Sequence, residues 1–344
     1  MQALAATPDQ DKLTWQEVPK PSSLGSNDVL IKVLWADVNP VDMQKFRARK
    51  SLYIPGFSGS GVVVEKGEEV GIQMGVTVAF MLNPSSGHGS YAQFCVADRR
   101  AIAVIPDGIS AQSAACVPLA GCTAYESLCK LGLRDLETLG TPAIEQDKRL
   151  LIVGASGGVG SWATRLARVW HPTLDIVATS SEQSNEWCLR SGATRVIRHD
   201  QIDKDLQGGP KGSVDYILCL TEPTAEVMNA LLEVIRHFGV ICLVVAGASI
   251  KKLDLGFLFF KSATLTTETV FSSFRSSFAN IEPRKMIEDM LTMVAKGTVA
   301  VPIAPAVEGM DLSISKAAND NGLIKILDGH TCGKIAMEMD TAGN

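Results

Sequence analysis

The residues that most readily suggest chemistry are the eight cysteines and five histidines, because Cys and His are the usual ligands of zinc. No two cysteines have CxxC spacing, and none stands beside a histidine in a ligand-like cluster. Most lie in apolar runs such as YILCL and GVICLVV, where cysteine usually packs as a small buried side chain. The spacing therefore predicts reduced, structural thiols rather than a metal site or a disulfide framework.

A glycine-rich segment carries the strongest local signal for a ligand. In residues 150–170, LLIVGASGGVGSWATRLARVW, an apolar strand pattern ends at Gly154 and an amphipathic helix pattern follows the glycine run. Backbone N–H groups in such a strand–turn–helix can bind a pyrophosphate, although these glycines do not match GxGxxG strictly. We predict that a dinucleotide binds here, on Ala155, Ser156, Gly157, Gly158, Val159 and Gly160.

The end of the next predicted strand bears on which dinucleotide binds. Ser180 and Ser181 stand where an NAD-preferring site places an acidic residue that holds the ribose hydroxyls. Because serine hydroxyls do not repel a 2′-phosphate, the pair favours NADPH over NADH. Glu182 opposes this preference, and no Arg or Lys lies between Ser180 and Leu189.

The elements that must position these residues follow two secondary-structure patterns. The first third has short Val- and Ile-rich segments bounded by Gly, Pro or Asn, which predict strands over residues 28–38, 61–66, 76–80, 91–96 and 101–105. From residue 149, strand patterns alternate with helix patterns at 159–170, 183–191 and 225–237. Alternation predicts βαβ units and a parallel sheet. After about residue 265 the alternation ends and strand and helix patterns are mixed again. We therefore expect an α/β domain inserted into a β-rich one.

Charge and hydropathy exclude several classes of protein. A net charge of −5 and a pI near 5.6 argue against binding to nucleic acid by bulk electrostatics. The longest apolar run, residues 238–250, is too short to cross a bilayer. The N-terminal residues show no secretory signal pattern. We therefore expect a cytoplasmic protein that has neither nucleic acid nor a membrane as partner.

Three further segments, VNPVDMQKFR, IPGFSGSGVVVE and VPLAGCTAYESL, complete a recognisable pattern with the glycine run. Together they resemble the medium-chain dehydrogenase/reductase superfamily, in its zinc-independent quinone oxidoreductase branch. IVATSS, VDYILCLTE and GHTCGKIAME look like the zinc-type alcohol dehydrogenase-like group. The resemblance implies an α/β fold, in which a GroES-like catalytic domain (residues 1–120 and 266–344) contains an inserted Rossmann NADP(H)-binding domain (residues 121–265).

The resemblance also implies roles for particular residues. Asn39 and Asp42 would line the cleft near the nicotinamide, and Thr123 would lie beside the ring. The ribose and carboxamide would rest on Cys219, Leu220, Thr221, Val245, Ala246 and Gly247. Structural alternatives remain open, since Asn39–Pro40 can form a turn, Asp42 can cap a short helix and Thr123 can belong to a core.

The zinc ligands of the metal-dependent relatives have no counterparts in this sequence. Those relatives carry a Cys in the segment matching VNPVD and a His–Glu pair after the Gly of the segment matching PGFSGSG. This chain has Asn39, Phe57 and Ser58 in those regions. Leu119 stands close to the position of a third ligand, and Cys122 is near it but has no second ligand beside it. A catalytic zinc needs about three protein ligands, so we expect no zinc.

These observations lead to one functional prediction with two alternatives. The leading one is NADPH-dependent reduction of a quinone, or another activated alkene or carbonyl, by direct hydride transfer to a small apolar or aromatic electrophile. An enoyl-thioester reductase would need a basic patch, for which Arg47, Arg49 and Lys50 are the candidates. A non-catalytic NADPH-binding protein, crystallin-like or redox-sensing, is the other alternative. We expect a homodimer in which residues 263–270 pair across a two-fold axis.

Overall fold

The computed structural model describes residues 1–206, 213–245, 247, 256–276, 282–304 and 332–339. The chain divides into two units, Met1–Cys122 with Phe271–Asn344, and Thr123–Val270. The sequence predicts boundaries after residues 120 and 265. In the described ranges no helix is both long and apolar enough to cross a membrane.

The first unit is built around antiparallel strands. Alternation such as Val29, Ile31 and Val33, all buried, directs one face of its longest strand into the core. Its strands are β1 (Gln2–Ala5), β2 (Thr14–Glu17), β3 (Asp28–Val38), β4 (Ser58–Lys66), β5 (Thr77–Met81), β6 (Phe94–Asp98), β7 (Ile102–Val104) and β14 (Ile335–Glu338). One sheet has the order β14-β3-β4-β5-β7 with β6 also on β3, while β1 and β2 pair separately.

Helices connect these strands and lead into the second unit. They are α1 (Pro40–Arg47), α2 (Ala111–Ala115), α3 (Pro118–Lys130), α9 (Ser272–Arg275) and α10 (Pro283–Ala295). Helix α3 contains the boundary between Cys122 and Thr123, so its second half belongs to the second unit.

The second unit is a six-stranded parallel sheet between helices. Its strands are β8 (Arg149–Val153), β9 (Asp175–Thr179), β10 (Arg195–Ile197), β11 (Val214–Cys219), β12 (Ile235–Leu243) and β13 (Thr264–Thr267). Its further helices are α4 (Gly158–Trp170), α5 (Asn185–Arg190), α6 (Ile202–Leu206), α7 (Ala225–Val234) and α8 (Gly256–Lys261). The order β10-β9-β8-β11-β12-β13 is that of a Rossmann sheet. All strands are parallel, and the order in which successive strands are added reverses between β8 and β11. The predicted α/β fold is confirmed.

Three predicted bounds are wrong by three residues. The strand predicted over 61–66 begins at Ser58. The other two are a helix end and a strand start. The helix predicted over 225–237 ends at Val234, and Ile235 begins β12 because Ile235 pairs with Val214 of β11. The strand predicted over 91–96 begins at Phe94, since Tyr91 bonds through its carbonyl to Leu4 N–H instead of joining the β3 ladder. Long-range pairing decides both boundaries.

Candidate functional site

The glycine turn of the second unit has the backbone geometry of a phosphate-binding turn. Gly154 directly follows β8 with a φ of +82°, which favours glycine, and α4 begins at Gly158. A Cβ on Gly160 would lie 2.5 Å from Gly154 O and 2.6 Å from Ala155 Cα, so only glycine allows this close helix–strand packing. A Cβ on Gly157 would meet only Gly154 O, at 3.8 Å.

The exposure of the turn also fits a ligand. Gly157 and its neighbours Ser156, Gly158 and Val159 are half-buried, whereas Ala155 and Gly160 are buried. The four half-buried residues can therefore approach a phosphate, while the two buried ones fix the turn. Helix α4 adds the positive end of its dipole at the same place.

The segments after β11 and β12 lie at the same edge of the sheet. Leu220 N–H donates to Val153 O at 3.0 Å, and Val244 N–H donates to Cys219 O at 3.0 Å. The Cys219 thiol is buried and donates to Thr221 O at 3.4 Å, and burial raises its pKa. The structure thus places Cys219, Leu220 and Thr221 beside the glycine turn. Val245 and Gly247 are half-buried, and Ala246 lies outside the described residues.

Polar side chains meet where β9 and β10 end. The Ser180 hydroxyl is within 3.0 Å of Asn185 Oδ1, and Ser181 Oγ lies 3.2 Å from Ser184 Oγ. Because β10 pairs with β9 in parallel, Ser180 N–H donates to Ile197 O and the next residue, Arg198, lies at the same edge.

Arg198 and His199 are functional candidates that the sequence interpretation missed. Arg198 is exposed and contacts Asp200 at 3.0 Å. His199 Nδ1 lies 2.7 Å from Thr179 Oγ1, and burial lowers its pKa. Their signal in the sequence is a basic pair directly after a short strand pattern, outside the segment that follows β9.

Asn39 and Asp42 meet in a buried polar cluster of the first unit. Asn39 stands at the N-cap of α1, and its backbone N–H donates to Asp42 Oδ2 at 2.8 Å. Asp42 is therefore the third residue of the helix rather than its cap. Its carboxylate accepts the hydrogen bond of the N-cap backbone N–H group. The Tyr91 hydroxyl donates to the same carboxylate oxygen at 3.1 Å, and the Tyr53 hydroxyl to the Asp42 carbonyl at 3.0 Å.

An ion pair adjoins these residues. Lys334 Nζ lies 2.9 Å from Asp37 Oδ1 and donates to Val38 O at 2.8 Å and to Asn39 Oδ1 at 2.7 Å. Asp37 Oδ2 accepts from Asn39 Nδ2 at 2.9 Å and from Ser58 Oγ at 2.8 Å. Asp37, Ser58 and Lys334 are buried, and the sequence alone predicts no functional role for Asp37 or Lys334.

Burial governs the electrostatics of this cluster. Complete burial raises the pKa of Asp42 to about 7, and the neighbouring Asp37 charge adds to the rise. Burial also raises the pKa of Asp37, against the opposing effect of Lys334. The pKa of Tyr91 is raised by burial and by Asp42, so its hydroxyl stays protonated as a donor.

Residues at the expected metal-ligand positions have other contacts. Phe57 packs edge-on against Phe271 with 5.4 Å between ring centroids, and Leu119 is buried. Across the described ranges, no group of three or more His, Cys, Asp or Glu side chains could hold a metal ion.

Thr123 and the basic cluster complete the predicted residues. Thr123 is buried on α3, and its carbonyl accepts from Ser127 Oγ at 2.7 Å. Arg49 Nε donates to Thr7 O at 2.8 Å, and its guanidinium stacks on Phe46 at 3.9 Å. The Arg49 guanidinium is thus occupied by contacts within its own unit.

Comparison with known proteins agrees with this architecture. Residues 25–107 match the alcohol dehydrogenase GroES-like domain. The chain is 31% identical over 303 residues to a zinc-type alcohol dehydrogenase-like protein of Staphylococcus aureus (strain COL), covering 87% of each chain. It is 33% identical over 183 residues to 2-methylene-furan-3-one reductase of Solanum lycopersicum, covering 50% of this chain and 44% of that one.

Solved structures share the fold at low identity. An alcohol dehydrogenase superfamily protein from Novosphingobium aromaticivorans superposes with a TM-score of 0.81 at 22% identity, over 99% of this chain and 100% of that one. Escherichia coli quinone oxidoreductase complexed with NADPH superposes with a TM-score of 0.76 at 19% identity, over 98% and 100%.

A Rossmann sheet with a glycine turn, together with a GroES-like unit, defines an oxidoreductase of the medium-chain dehydrogenase/reductase class. The chain belongs to the zinc-type alcohol dehydrogenase-like family of that superfamily.

Proposed function

We propose that the protein is a zinc-independent, NADPH-dependent reductase of quinones or other activated alkenes and carbonyls, acting by direct hydride transfer. The observation that carries the proposal is the cluster at the positions of the zinc ligands. Asn39 and Ser58 are bonded to Asp37, and the Lys334 ammonium lies among them. A buried ammonium repels a divalent cation, and Phe57 offers no donor atom.

A reductase without zinc has no Lewis acid with which to stabilise an alkoxide, which disfavours alcohol oxidation. A quinone or enone is already electrophilic and needs less activation. NADPH, when bound, supplies the hydride from its nicotinamide. The protein then has to bind the cofactor, orient it and exclude water, with Asn39, Asp42 and Thr123 as the predicted residues near the ring.

The second unit has the features that NADPH requires. The half-buried glycine turn fits a pyrophosphate, and the hydroxyls of Ser180 and Ser181 carry no charge that would repel a 2′-phosphate. Arg198, at the end of the adjacent strand, supplies a cation that the segment after β9 lacks. The NADPH complex of the E. coli enzyme, which shares the fold, supports the same choice of cofactor.

The acceptor is proposed to be small and apolar or aromatic. The Solanum lycopersicum relative is named a 2-methylene-furan-3-one reductase, and a 2-methylene-furan-3-one is an enone, which supports this class. An enoyl-thioester reductase is less supported, because Arg49 is bonded to backbone carbonyls of its own unit. We also propose a homodimer, since β13 pairs with β12 on one side and lies at the end of the sheet order. A cytoplasmic location stays a prediction.

The first experiment measures oxidation of NADPH and of NADH by the purified protein with a panel of quinones and enones. We expect turnover with NADPH and no stoichiometric zinc by atomic absorption after a chelator wash. No turnover with any acceptor, despite measurable NADPH binding, would favour the non-catalytic alternative. Sedimentation showing a monomer would contradict the dimer.

The second experiment tests the choice of cofactor through Arg198→Ala. We expect KM for NADPH to rise about tenfold or more while KM for NADH changes little, since one charge-assisted contact to phosphate contributes about 1.5–3 kcal/mol. Arg190→Ala is the matched control, because Arg190 is another exposed arginine of this unit that contacts an acid, Glu186. Equal effects of both variants on NADPH and NADH would contradict a role of Arg198 in cofactor choice.

A further inference from the structure

Two buried carboxyl groups of the second unit lie close together at the carboxyl edge of its parallel sheet, which is also the edge that carries the glycine turn. Glu126 lies on α3, and Glu268 follows directly after the last residue of β13. Glu126 is 6% exposed, and the Glu268 side chain is fully buried. Glu126 lies one helical turn before Lys130, which contacts Glu268, and this places the carboxyl groups of Glu126 and Glu268 within hydrogen-bonding reach of each other.

A hydrogen bond between two carboxyl groups requires a proton, because ionised carboxylates only accept. Glu126 Oε1 and Glu268 Oε1 are buried and receive no hydrogen bond from an N–H or hydroxyl group of the described residues. Lys130 Nζ lies 2.5 Å from Glu268 Oε2, so one cation faces two acids. A single shared proton makes the group neutral and supplies the missing donor.

The other titratable groups that face the pair do not change this balance. Cys129 on α3 and Cys242 on β12 are neighbours, and burial raises the pKa of each thiol to about 12, so both are neutral. Arg134 and Asp135, of opposite charge, act on Cys129 from beyond the helix. Burial and the Glu268 charge raise the pKa of Glu126, which agrees with a protonated acid.

The position of the pair gives it a structural task. Strand β13 is short and lies at the end of the sheet order, paired with β12. Its last residues are held by Glu268 N–H donating to Leu243 O at 2.9 Å and by Lys130 Nζ donating to Thr267 O at 2.6 Å. The chain leaves the second unit at Val270, shortly after Glu268, and enters it on α3, shortly before Glu126.

We propose that Glu126 and Glu268 share one proton in the folded protein, and that this acid pair, with Lys130, positions the carboxyl end of β13 against α3. Both are positioning residues. The proposal rests on the proposed function only in so far as this edge of the sheet binds the nicotinamide end of NADPH.

Infrared difference spectroscopy tests the shared proton. At about pH 8, where an ordinary glutamate is ionised, the spectrum of the wild type minus that of Glu126→Gln should show the C=O band of one protonated carboxyl group. Glu186→Gln is the matched control, because Glu186 is an exposed glutamate on a helix of the same unit and contacts Arg190. That difference spectrum should lack the band. Absence of the band for Glu126→Gln would overturn the shared proton.

Hydrogen exchange tests the positioning role without any cofactor. We expect Glu126→Gln, whose amide can still donate to Glu268, to keep the protection of the Glu268 amide. Glu126→Ala should raise that exchange rate about tenfold or more, which corresponds to about 1.4 kcal/mol. Equal protection in both variants would overturn the positioning role.

NADPH titration then separates the two proposals. If Glu126→Ala weakens NADPH binding about tenfold and Glu126→Gln does not, positioning serves the cofactor. If the wild type itself binds no NADPH while the infrared band and the exchange difference are present, the proposed function fails and the acid pair stands.

Discussion

Asp42→Asn removes a titratable group from the buried cluster of the first unit while keeping its shape. Asp42 Oδ2 accepts both hydrogen bonds, and Oδ1 has no partner among the described residues. An asparagine can therefore place its carbonyl oxygen at the first position and its amide at the second. Because the exchange is nearly isosteric, differences between the two proteins should come from the charge.

The magnitude follows from the pKa, which burial raises from an ordinary 3.8 to about 7. The folded wild type keeps a proton that the unfolded chain releases, so its stability relative to the variant is fully present below about pH 4. That stability is lost as the pH rises through about 7. At about 1.4 kcal/mol per pKa unit, the total is about 4 kcal/mol, of which about 2 kcal/mol falls between pH 5 and 7.

Urea unfolding of both proteins at about pH 5, 6, 7 and 8 measures this difference. Hydrogen exchange of the β3 amides reports on the first unit separately from the second. Asp11→Asn, an exposed aspartate of the same unit, is the control and should show little pH-dependent difference. A difference between wild type and Asp42→Asn that stays constant from pH 5 to 8, or that moves in favour of the wild type as pH rises, would refute the reasoning.

The glycine turn and the ion pair give two further predictions. Gly160→Ala should lower thermal stability and abolish NADPH binding, because its Cβ meets backbone atoms of Gly154 and Ala155. Gly157→Ala, whose Cβ has room, should keep the melting temperature but weaken NADPH binding in a titration; equal melting temperatures for both variants would contradict this. Lys334→Met should cost about 3–5 kcal/mol in urea unfolding, because it leaves a buried carboxylate unpaired. Adding Asp37→Asn should restore much of that loss, and a fully additive double variant would contradict the pairing.

The local half of the candidate cofactor site could be predicted from the sequence. The apolar strand, the glycines and the amphipathic helix of residues 150–170 are neighbours in the chain, so their pattern encodes their geometry directly. The alternation of strand and helix patterns from residue 149 likewise predicted the parallel sheet, because side-chain period and burial are local properties. The prediction that a helix reaches residue 237 was wrong, because Ile235 pairs with Val214 in the sheet and this pairing overrides the local helix pattern.

By itself, then, the sequence determined the fold class and predicted where a dinucleotide would bind, since both depend on short-range periodicity and turn chemistry. Only the tertiary structure placed Lys334 against Asn39, 295 residues away, Arg198 beside Ser180, and Glu126 against Glu268. Strand register brings the first two pairs together and packing of α3 brings the third, and both depend on the whole sheet rather than on any local segment. The two buried clusters of charged side chains, around Lys334 and around Glu268, form only through such long-range contacts.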